Sequence, residues 1–477
     1  MDSEKAFPER PPAPFRSQIP VLLLLVAGQI MVSLDFSLSS VALPSIERAF
    51  SISAATAQWV LTANALAFGG TLIIGGRLVD LYGQRSCFLL GVLFEAAGSA
   101  AAGSGHWILW VIVARVVQGA GAALVYPSVL SLISLSFPPG PARFRALMTS
   151  SVGQFLAVPV GAMFAGGLIE RFGWRGAFFL IVPIGVMVLL CGLALLPKRI
   201  RATGPAGRID IPGAIFITTG FSCSVWSLSR ITAEGRSTPT STLLVALIGI
   251  VAFGIFLLIQ RRSSSPLIPG RMLACHNLPS GLLVTSLTLS ALSAMTVLSN
   301  IVLQAAGYSP FKAGTALLGF GIGSVLCGII SSRFSRNLLG APRLVLIFIF
   351  LAMCAANIFV ASFAHTAFVV VCVPIALLVA SLGTVNMTLG TAITLSDVAA
   401  ADRGVASSLI YTIMQFVVAI ALAIMVSVAR TRGGVSSAAD YIPSFEIAAG
   451  LCLAGAFIAA TALRPLKEML LAEELLH

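Results

Sequence analysis

Long apolar segments of about 20 residues alternate with short polar segments along the whole chain. About 20 consecutive apolar residues are enough for an α-helix to cross the hydrocarbon core of a bilayer. We therefore predict an all-α polytopic membrane protein. The pattern places fourteen transmembrane helices at residues 19–44, 57–76, 87–104, 107–135, 144–168, 175–196, 211–231, 240–260, 278–306, 311–333, 342–363, 366–393, 403–429 and 446–464.

Composition supports a membrane protein and changes how the net positive charge is interpreted. Hydrophobic residues make up 58% of the 477 positions and charged residues only 10%, whereas a soluble domain is about 45–50% apolar. In a soluble protein the net charge of +12 would suggest a nucleic-acid partner. Here the basic residues fall in short loops, so we predict the lipid bilayer, and no nucleic acid, as their partner.

The distribution of Lys and Arg predicts the orientation of the chain. If both termini are cytoplasmic, 20 of these residues lie inside, 8 lie outside, and Arg115 alone remains inside the membrane. Cytoplasmic loops of membrane proteins carry such an excess of positive charge. We therefore predict a multi-pass protein of the cell membrane with both termini in the cytoplasm.

The longest polar connections, at residues 197–210 and 261–277, bracket one pair of helices. Without that pair the chain contains two sets of six helices, an arrangement typical of transporters with a site near the membrane midplane. A faint repeat links the sets, because Gly76 and Asp80 after the second helix correspond to Gly328 and Ser332 after the tenth. The predicted segments are an N-terminal tail at 1–18, a six-helix bundle at 19–200, an inserted helix pair at 201–275, a second six-helix bundle at 276–465 and a C-terminal tail at 466–477.

Four polar residues, Asp35, Asn64, Glu95 and Arg115, lie deep within separate predicted helices. At 1.5 Å per residue they all fall roughly 10 to 14 Å from the outer ends of those helices. A charged group in hydrocarbon costs at least about 2.5–3.5 kcal/mol, so these side chains should face one another or a wet cavity. We hypothesise that Asp35 and Arg115 interact and that protonation of a carboxylate loosens the contact. The alternative is a static pair that only holds two helices together.

Three interpretations of Glu95 are compatible with its position in the sequence. It could recognise a cationic substrate, carry a second proton, or form a structural hydrogen bond as a neutral acid. For Asn64 an interhelical hydrogen bond is an equal alternative to a place in a cavity. The residues predicted to couple protons are Asp35, Arg115 and Glu95, and those predicted to bind substrate are Asn64, Glu95, Gln118, Gln304, Asn386 and Gln415.

The stretch from Gly75 to Arg85 is short, charged and glycine-rich, and it separates two apolar segments. We predict a tight loop of eleven residues whose glycines let helix ends approach closely. An aspartate there can bind the N-terminus of a neighbouring helix. The predicted gating residues are Gly76, Asp80, Gly83 and Arg85.

The stretch from Gly75 to Arg85 and four further motifs together resemble the major facilitator superfamily, in particular its fourteen-helix drug:proton antiporter branch. The loop pattern Gly76-x-Leu-x-Asp-x-x-Gly-x-Arg85 resembles the signature between the second and third helices of that superfamily. The other matching segments are Leu34–Pro44, Arg115–Ala123, Trp174–Phe178 and Gly307–Gly314. One segment departs from the branch: its fifth helix usually contains Gly-Pro-x-x-Gly-Gly, whereas this chain has Ala162–Gly167 with a displaced Pro159.

The resemblance implies a secondary active transporter that exports amphiphilic or cationic drugs or metabolites by alternating access, in exchange for protons. It implies that Asp35 and Arg115 take part in proton coupling. It also implies that Asp80 approaches residues 404–407 when the cytoplasmic side is closed and stabilises the outward-facing state. The implied partners are a small-molecule substrate and protons, no cofactor is expected, and most members are monomers.

Two alternatives remain open. The departure in the fifth helix permits an uncoupled or differently coupled lipid or metabolite transporter. From a different class, a nontransporting membrane receptor or scaffold could keep the same fold. An enzyme is not expected, since the sequence has no phosphate-binding Gly-x-x-x-x-Gly-Lys-[Ser/Thr] motif, and its eight cysteines include no Cys-x-x-Cys pair that would indicate a metal site.

Overall fold

The computed structural model describes most of the chain, and all regular structure in the described part is helical. The two predicted tails lie almost wholly outside the described residues, as does most of the Gly307–Gly314 motif. The described ranges are 15–138, 140–196, 210–234, 240–263, 266–268, 270–273, 275–307, 315–363, 369–396, 398–399, 402–431 and 438–463.

Fourteen helices of twelve residues or more form the described structure, and we number them in chain order. They are α1 (Phe15–Phe50), α2 (Trp59–Tyr82), α3 (Gln84–Gly103), α4 (Ile108–Ser136), α5 (Pro141–Leu195), α6 (Ile211–Glu234), α7 (Thr240–Arg262), α8 (Asn277–Ala305), α9 (Leu318–Arg333), α10 (Pro342–Phe363), α11 (Val369–Ala380), α12 (Gly383–Ser396), α13 (Arg403–Thr431) and α14 (Ile442–Thr461). Short helices lie at Ala54–Ala57, Gly270–Leu273, Ser335–Gly340 and Ala438–Tyr441.

The all-helical membrane class is confirmed. Within the described residues, 12 helical segments are long and apolar enough to cross a membrane, with the two parts of α5 counted separately and α11 and α12 counted together. They match every predicted span except 211–231 and 311–333. Helix α6 lies at the first of these positions, and the shorter α9, of 16 residues, lies at the second. The count of fourteen spans therefore stays a prediction.

Helices α1 to α5 pack together as one bundle, and α8 to α14 pack together as a second. The bundles meet along two seams, where α2 lies against α13 and where α9 and α12 lie against α5. Close backbone approach defines the first seam, since a Cβ at Gly76 would lie 2.2 Å from Ser408 Oγ. At the corresponding position of the second seam, a Cβ at Gly328 would lie 2.6 Å from Val152 Cγ2. The faint sequence repeat thus marks equivalent contacts between the bundles.

The predicted loop from Gly75 to Arg85 is wrong in its extent. Helix α2 continues through this stretch to Tyr82, α3 begins at Gln84, and only Gly83 separates them, with a φ of 88° that favours glycine. The helix persists because its polar side chains are buried rather than solvated: Arg77 is 4% and Asp80 0% exposed.

The predicted break near residues 169–174 is also smaller than expected. Helix α5 runs over 55 residues, and the chain departs from helical geometry inside it at Gly173, with a φ of 68°. One glycine in the left-handed region is sufficient to redirect the chain between two spans. A change of direction therefore replaces the predicted loop.

The inserted pair, α6 and α7, covers the seam between α2 and α13. Thr218 Oγ1 of α6 donates a hydrogen bond to the Gly70 carbonyl of α2 at 2.5 Å. On the other side, the rings of Phe221 and Phe253 lie 6.1 and 5.8 Å from the ring of Phe416 on α13. The pair is thus hydrogen-bonded to the first bundle and has aromatic contact with the second.

Candidate functional site

Three buried side chains of α1 and α4 form a closed triangle of polar contacts. Arg115 Nη1 donates to Asp35 Oδ2 in a direct ion pair and also to Gln118 Oε1 at 2.9 Å. Gln118 Nε2 in turn donates to Asp35 Oδ1 at 2.9 Å. All three residues are at most 3% exposed. Both Asp35 oxygens therefore accept hydrogen bonds in a site shielded from solvent, where such contacts are strong.

Helix α2 holds the Arg115 guanidinium and backbone from a second direction. Arg115 Nε donates to the Val60 carbonyl at 3.0 Å, and Asn64 Nδ2 donates to the Arg115 carbonyl at 3.4 Å. These hydrogen bonds require α2 and α4 to pack closely, since a Cβ at Gly119 would lie 2.3 Å from the Asn64 carbonyl oxygen. The Phe178 ring of α5 lies 5.8 Å from Arg115 Cζ. Asn64 thus makes an interhelical hydrogen bond, which was one of its two sequence interpretations.

Glu95 of α3 borders this triangle and is 0% exposed. Neither of its carboxylate oxygens has a hydrogen-bond partner, and Arg115 Nη2 is also buried without one. Asp35 and Arg115 act on Glu95 through their charges and Gln118 through its side-chain amide, although no donor meets full hydrogen-bond geometry at either oxygen. The three interpretations of Glu95 therefore stay predictions.

The structure shows a second polar layer that the sequence analysis missed. Gln29 of α1 donates from Nε2 to the Tyr411 hydroxyl of α13 at 3.2 Å and accepts a hydrogen bond at Oε1 from Ser150 of α5. The Tyr411 ring lies 4.9 Å from the Tyr126 ring of α4, whose hydroxyl is 3.0 Å from Ser33 Oγ. The sequence contains one indication of this layer. Gln29 and Ser33 are polar and lie one turn apart on an otherwise apolar helix.

Asp80 joins the two bundles at the end of α13. Its Oδ1 accepts from the Gly404 backbone N–H at 2.8 Å and its Oδ2 from the Val405 N–H at 2.9 Å. A carboxylate at a helix N-terminus is stabilised by these free N–H groups and by the helix dipole. Arg403 Nη1 adds a contact to the Ser134 carbonyl of α4 at 3.2 Å. The bundles are therefore closed against each other at this end.

The other predicted gating residues have different surroundings. Gly76 lies in the same seam as Asp80, and Gly83 forms the turn between α2 and α3. Arg85 Nη2 donates to the Leu193 carbonyl at 3.0 Å, a contact within the first bundle. This contact of Arg85 thus does not cross between the bundles.

The candidates of the second bundle lie apart from the triangle. Asn386 of α12 is buried and donates from Nδ2 to Thr288 Oγ1 of α8 at 3.0 Å. Gln415 of α13 is half-buried, and the Gln304 side chain lies outside the described residues. Their roles in substrate binding stay predictions. No group of three or more His, Cys, Asp or Glu in the described part of the chain is placed to hold a metal ion.

Replacing Asp80 with asparagine should weaken closure at this end. The amide keeps the shape but loses the charge that faces the α13 N-terminus, an interaction of about 1 kcal/mol. We expect the closed population to fall about fivefold relative to the open one, and transport to fall without loss of inserted protein. Spin-label distances between α2 and α13 measure the populations, and blotting of membranes measures insertion.

Asp210→Asn is a matched control, because Asp210 Oδ1 also accepts from a helix N-terminal N–H, that of Gly213 at 2.9 Å, but within its own segment. It should leave the distances between the bundles unchanged. A loss of inserted protein in Asp80→Asn at unchanged distances would instead assign Asp80 to membrane insertion.

One family profile and several named proteins are similar to this chain. The profile of the Major Facilitator Superfamily matches residues 25–423. The tetracenomycin C resistance and export protein of Streptomyces glaucescens is 32% identical over 332 residues, 68% of this chain and 60% of the relative. The puromycin resistance protein of Streptomyces alboniger is 32% identical, over 65% of this chain and 62% of the relative. The methylenomycin A resistance protein of Bacillus subtilis is 30% identical, over 67% of this chain and 69% of the relative. The chain thus matches about three fifths of the length of the first two relatives.

Solved structures agree on the fold. The human organic anion transporter MFSD10 superimposes with a TM-score of 0.62 at 15% identity, covering 94% of this chain and 100% of that one. The proton:xylose symporter XylE superimposes with a TM-score of 0.63 at 14% identity, covering 95% and 99% of the two chains. The family profile covers most of this sequence, and the helical spans make it a multi-pass membrane protein. The chain belongs to the Major Facilitator Superfamily.

Proposed function

We propose that this protein exports amphiphilic, often cationic, drugs or metabolites across the cell membrane in exchange for protons, by alternating access. The observation that carries the proposal is the buried Asp35–Arg115–Gln118 triangle, which places an ionisable carboxylate and its counter-ion between two membrane helices. The named functions of the relatives, antibiotic resistance and export, support the substrate class. The protein acts as a monomer with both termini in the cytoplasm.

Protonation of Asp35 changes the forces on α1. The ionised carboxylate accepts hydrogen bonds from Arg115 and Gln118, and hydrogen bonds to charged groups contribute about 1.5–3 kcal/mol each. The neutral acid loses the ion pair and part of this stabilisation. Helix α1 is then free to move relative to α4.

Helix α1 also connects this charge to the second bundle. Gln29 lies six residues from Asp35, about 9 Å along the helix, and its amide donates to Tyr411 of α13. A shift of α1 therefore alters a direct contact between the bundles. Through this contact, protonation of Asp35 shifts the equilibrium between the inward-open and outward-open states.

In the proposed orientation the end closed by Asp80 is cytoplasmic. This structure therefore corresponds to the outward-facing state of the transport cycle. Opening to the cytoplasm requires Asp80 to leave the α13 N-terminus and Tyr411 to leave Gln29. The substrate enters between the bundles, and Asn64, Glu95 and Gln118 are the candidates from the first bundle to contact it. Gln304, Asn386 and Gln415 remain the candidates from the second bundle.

Transport by purified protein in lipid vesicles tests the proposal. The vesicle lumen is made acidic, the membrane potential is clamped with potassium and valinomycin, and uptake of ethidium and tetraphenylphosphonium is followed. Both are permanent cations, so acid trapping of a weak base cannot imitate transport. We expect uptake that depends on the protein and that stops when nigericin collapses the pH gradient.

The two alternatives give different results in the same assay. Uptake that persists after collapse of the gradient would indicate an uncoupled or differently coupled transporter. Absence of flux of either cation above protein-free vesicles would contradict cation export and favour a receptor or scaffold.

A further inference from the structure

Glu95 is a buried acid that takes no part in the ion pair of Asp35 with Arg115. It is fully buried on α3, and its two oxygens have no hydrogen-bond partner. The neighbouring charges are one guanidinium, Arg115, and one other carboxylate, Asp35. Two carboxyl groups thus share a single cation inside the membrane.

An ionised carboxylate in this position would be very unfavourable. Burial of a charge without hydrogen-bond donors costs far more than burial of the neutral form, so such a group takes up a proton instead. Asp35 accepts hydrogen bonds from Arg115 and Gln118, whereas the Gln118 amide only approaches Glu95 and no donor meets full hydrogen-bond geometry at either Glu95 oxygen. In this state Asp35 is therefore the ionised partner, and Glu95 holds the proton.

A vacant donor lies in the same cluster. Arg115 uses Nη1 for Asp35 and Gln118 and Nε for the Val60 carbonyl, while Nη2 is buried without an acceptor. An arginine with an unused N–H and an acid with two unused oxygens are complementary, because a guanidinium can serve acceptors on more than one edge. The cluster therefore contains the parts of a second ion pair that is not formed here.

We propose that Asp35 and Glu95 are alternative partners of Arg115 and share one proton. The proton moves from the Glu95 carboxylic acid to the Asp35 carboxylate, and the guanidinium, which keeps all its own protons, turns its free edge to the new Glu95 carboxylate. The total charge of the cluster remains zero. This inference rests on the proposed exchange of protons for substrate and assigns the second position of the proton.

The same charge balance defines the substrate class. When the shared proton leaves the cluster, one guanidinium faces two carboxylates and the net charge becomes −1. A monovalent organic cation restores neutrality, and a neutral or anionic molecule does not. Proton and monovalent cation therefore exclude each other at this cluster, as an exchanger requires.

The other groups around Glu95 fit this role. On α4, the Gln118 side-chain amide faces Glu95 as a hydrogen-bonding group, and the Tyr126 phenol and Arg115 interact with it electrostatically. Asp35 does so from α1. Helix α5 also packs on α3, where the Phe178 carbonyl accepts a hydrogen bond from Ser99 at 2.8 Å. Asp35 and Arg115 are therefore the ionisable neighbours on which the titration of Glu95 depends, with the Tyr126 phenol as a further one.

Infrared difference spectroscopy of the purified protein locates the proton without any transport assay. Hydrogen–deuterium exchange of a protonated carboxyl shifts its C=O band, and cation binding removes that band. We expect tetraphenylphosphonium to remove one such band in the wild type, and we expect Glu95→Gln to lack it. Ser99→Ala, one turn along α3, is the matched control and should keep the band. A band that persists in Glu95→Gln would overturn the assignment.

Binding of tetraphenylphosphonium as a function of pH provides the second readout. With Glu95→Gln the cluster stays neutral without a proton, so cation affinity should fall about tenfold or more and lose its pH dependence. Glu95→Asp should retain both properties in part. If Glu95→Gln binds the cation with the wild-type pH profile, the shared-proton proposal is wrong. Gradient-dependent uptake by the wild type would still stand in that case, so the two proposals fail separately.

Discussion

Replacement of Arg115 with methionine should destabilise the protein by about 3–5 kcal/mol, because removal of one partner leaves an uncompensated buried charge. Arg115 is 0% exposed and its Nη1 serves both Asp35 and Gln118. Methionine approximates the length of the side chain, so lost packing contributes little. The fraction of monodisperse protein after heating in detergent, together with equilibrium unfolding, measures the effect.

A second substitution separates charge from packing. In Arg115→Met/Asp35→Asn the buried carboxylate is neutralised as well, and replacement of a whole buried ion pair is often close to neutral. We expect the double variant to recover most of the stability but none of the gradient-driven transport. If Arg115→Met were as stable as the wild type, or if the double variant were no better than the single one, the pair would not be the charged contact described here.

Asp35→Asn should reduce gradient-driven uptake of ethidium at least about tenfold, to the level seen after collapse of the gradient, because the amide cannot release a proton. The geometry is preserved to a large extent, since the amide oxygen still accepts from Gln118 Nε2, which donates to Asp35 Oδ1 at 2.9 Å. Exchange of labelled for unlabelled substrate needs no net proton movement, so it should continue at ethidium concentrations high enough to offset the weaker cation binding of a cluster that has lost one carboxylate. Uptake and exchange in the same vesicles give the comparison.

Ser37→Ala is the matched control on the same helix, because Ser37 Oγ donates to the Val158 carbonyl at 2.8 Å and carries no charge. It should leave both uptake and exchange near wild-type levels. Undiminished dependence on the pH gradient in Asp35→Asn would end the coupling role of Asp35 and leave a static pair that holds α1 against α4.

The ion pair was predictable from the sequence because charged residues within apolar helices are few and expensive. Each must find a partner or water, and depth along the helices left only a small set to combine. The contact of Asp35 with Arg115 joins residues 80 positions apart, yet it needed no tertiary information beyond the order of the spans. The same reasoning left three interpretations of Glu95, since depth does not show which donors are within reach.

The contacts between the bundles could not be found in this way. Gln29 and Tyr411 are 382 positions apart, and both are uncharged, so neither demands a partner strongly enough to stand out. The predicted loop at Gly75–Arg85 was wrong for a related reason. A hydropathy window treats Arg77 and Asp80 as solvated, whereas both are buried, Asp80 against the N-terminus of α13.

The place of the inserted pair depends on packing that has no periodic signature. The sequence shows two helices between two long polar connections, but their position follows from aromatic contacts of Phe221 and Phe253 with Phe416. A side chain at Gly69 would lie 1.9 Å from the Phe221 ring. Close fit of a ring onto a glycine is visible only in three dimensions.

Proton release on substrate binding tests the central claim most directly. Purified protein in weakly buffered detergent solution is mixed with tetraphenylphosphonium, and a pH-sensitive dye records the protons released per cation bound. We predict about one proton per bound cation for the wild type, because the cluster of Asp35, Glu95 and Arg115 holds one or the other but not both. Saturable binding of the cation with no proton released at any pH would contradict the account.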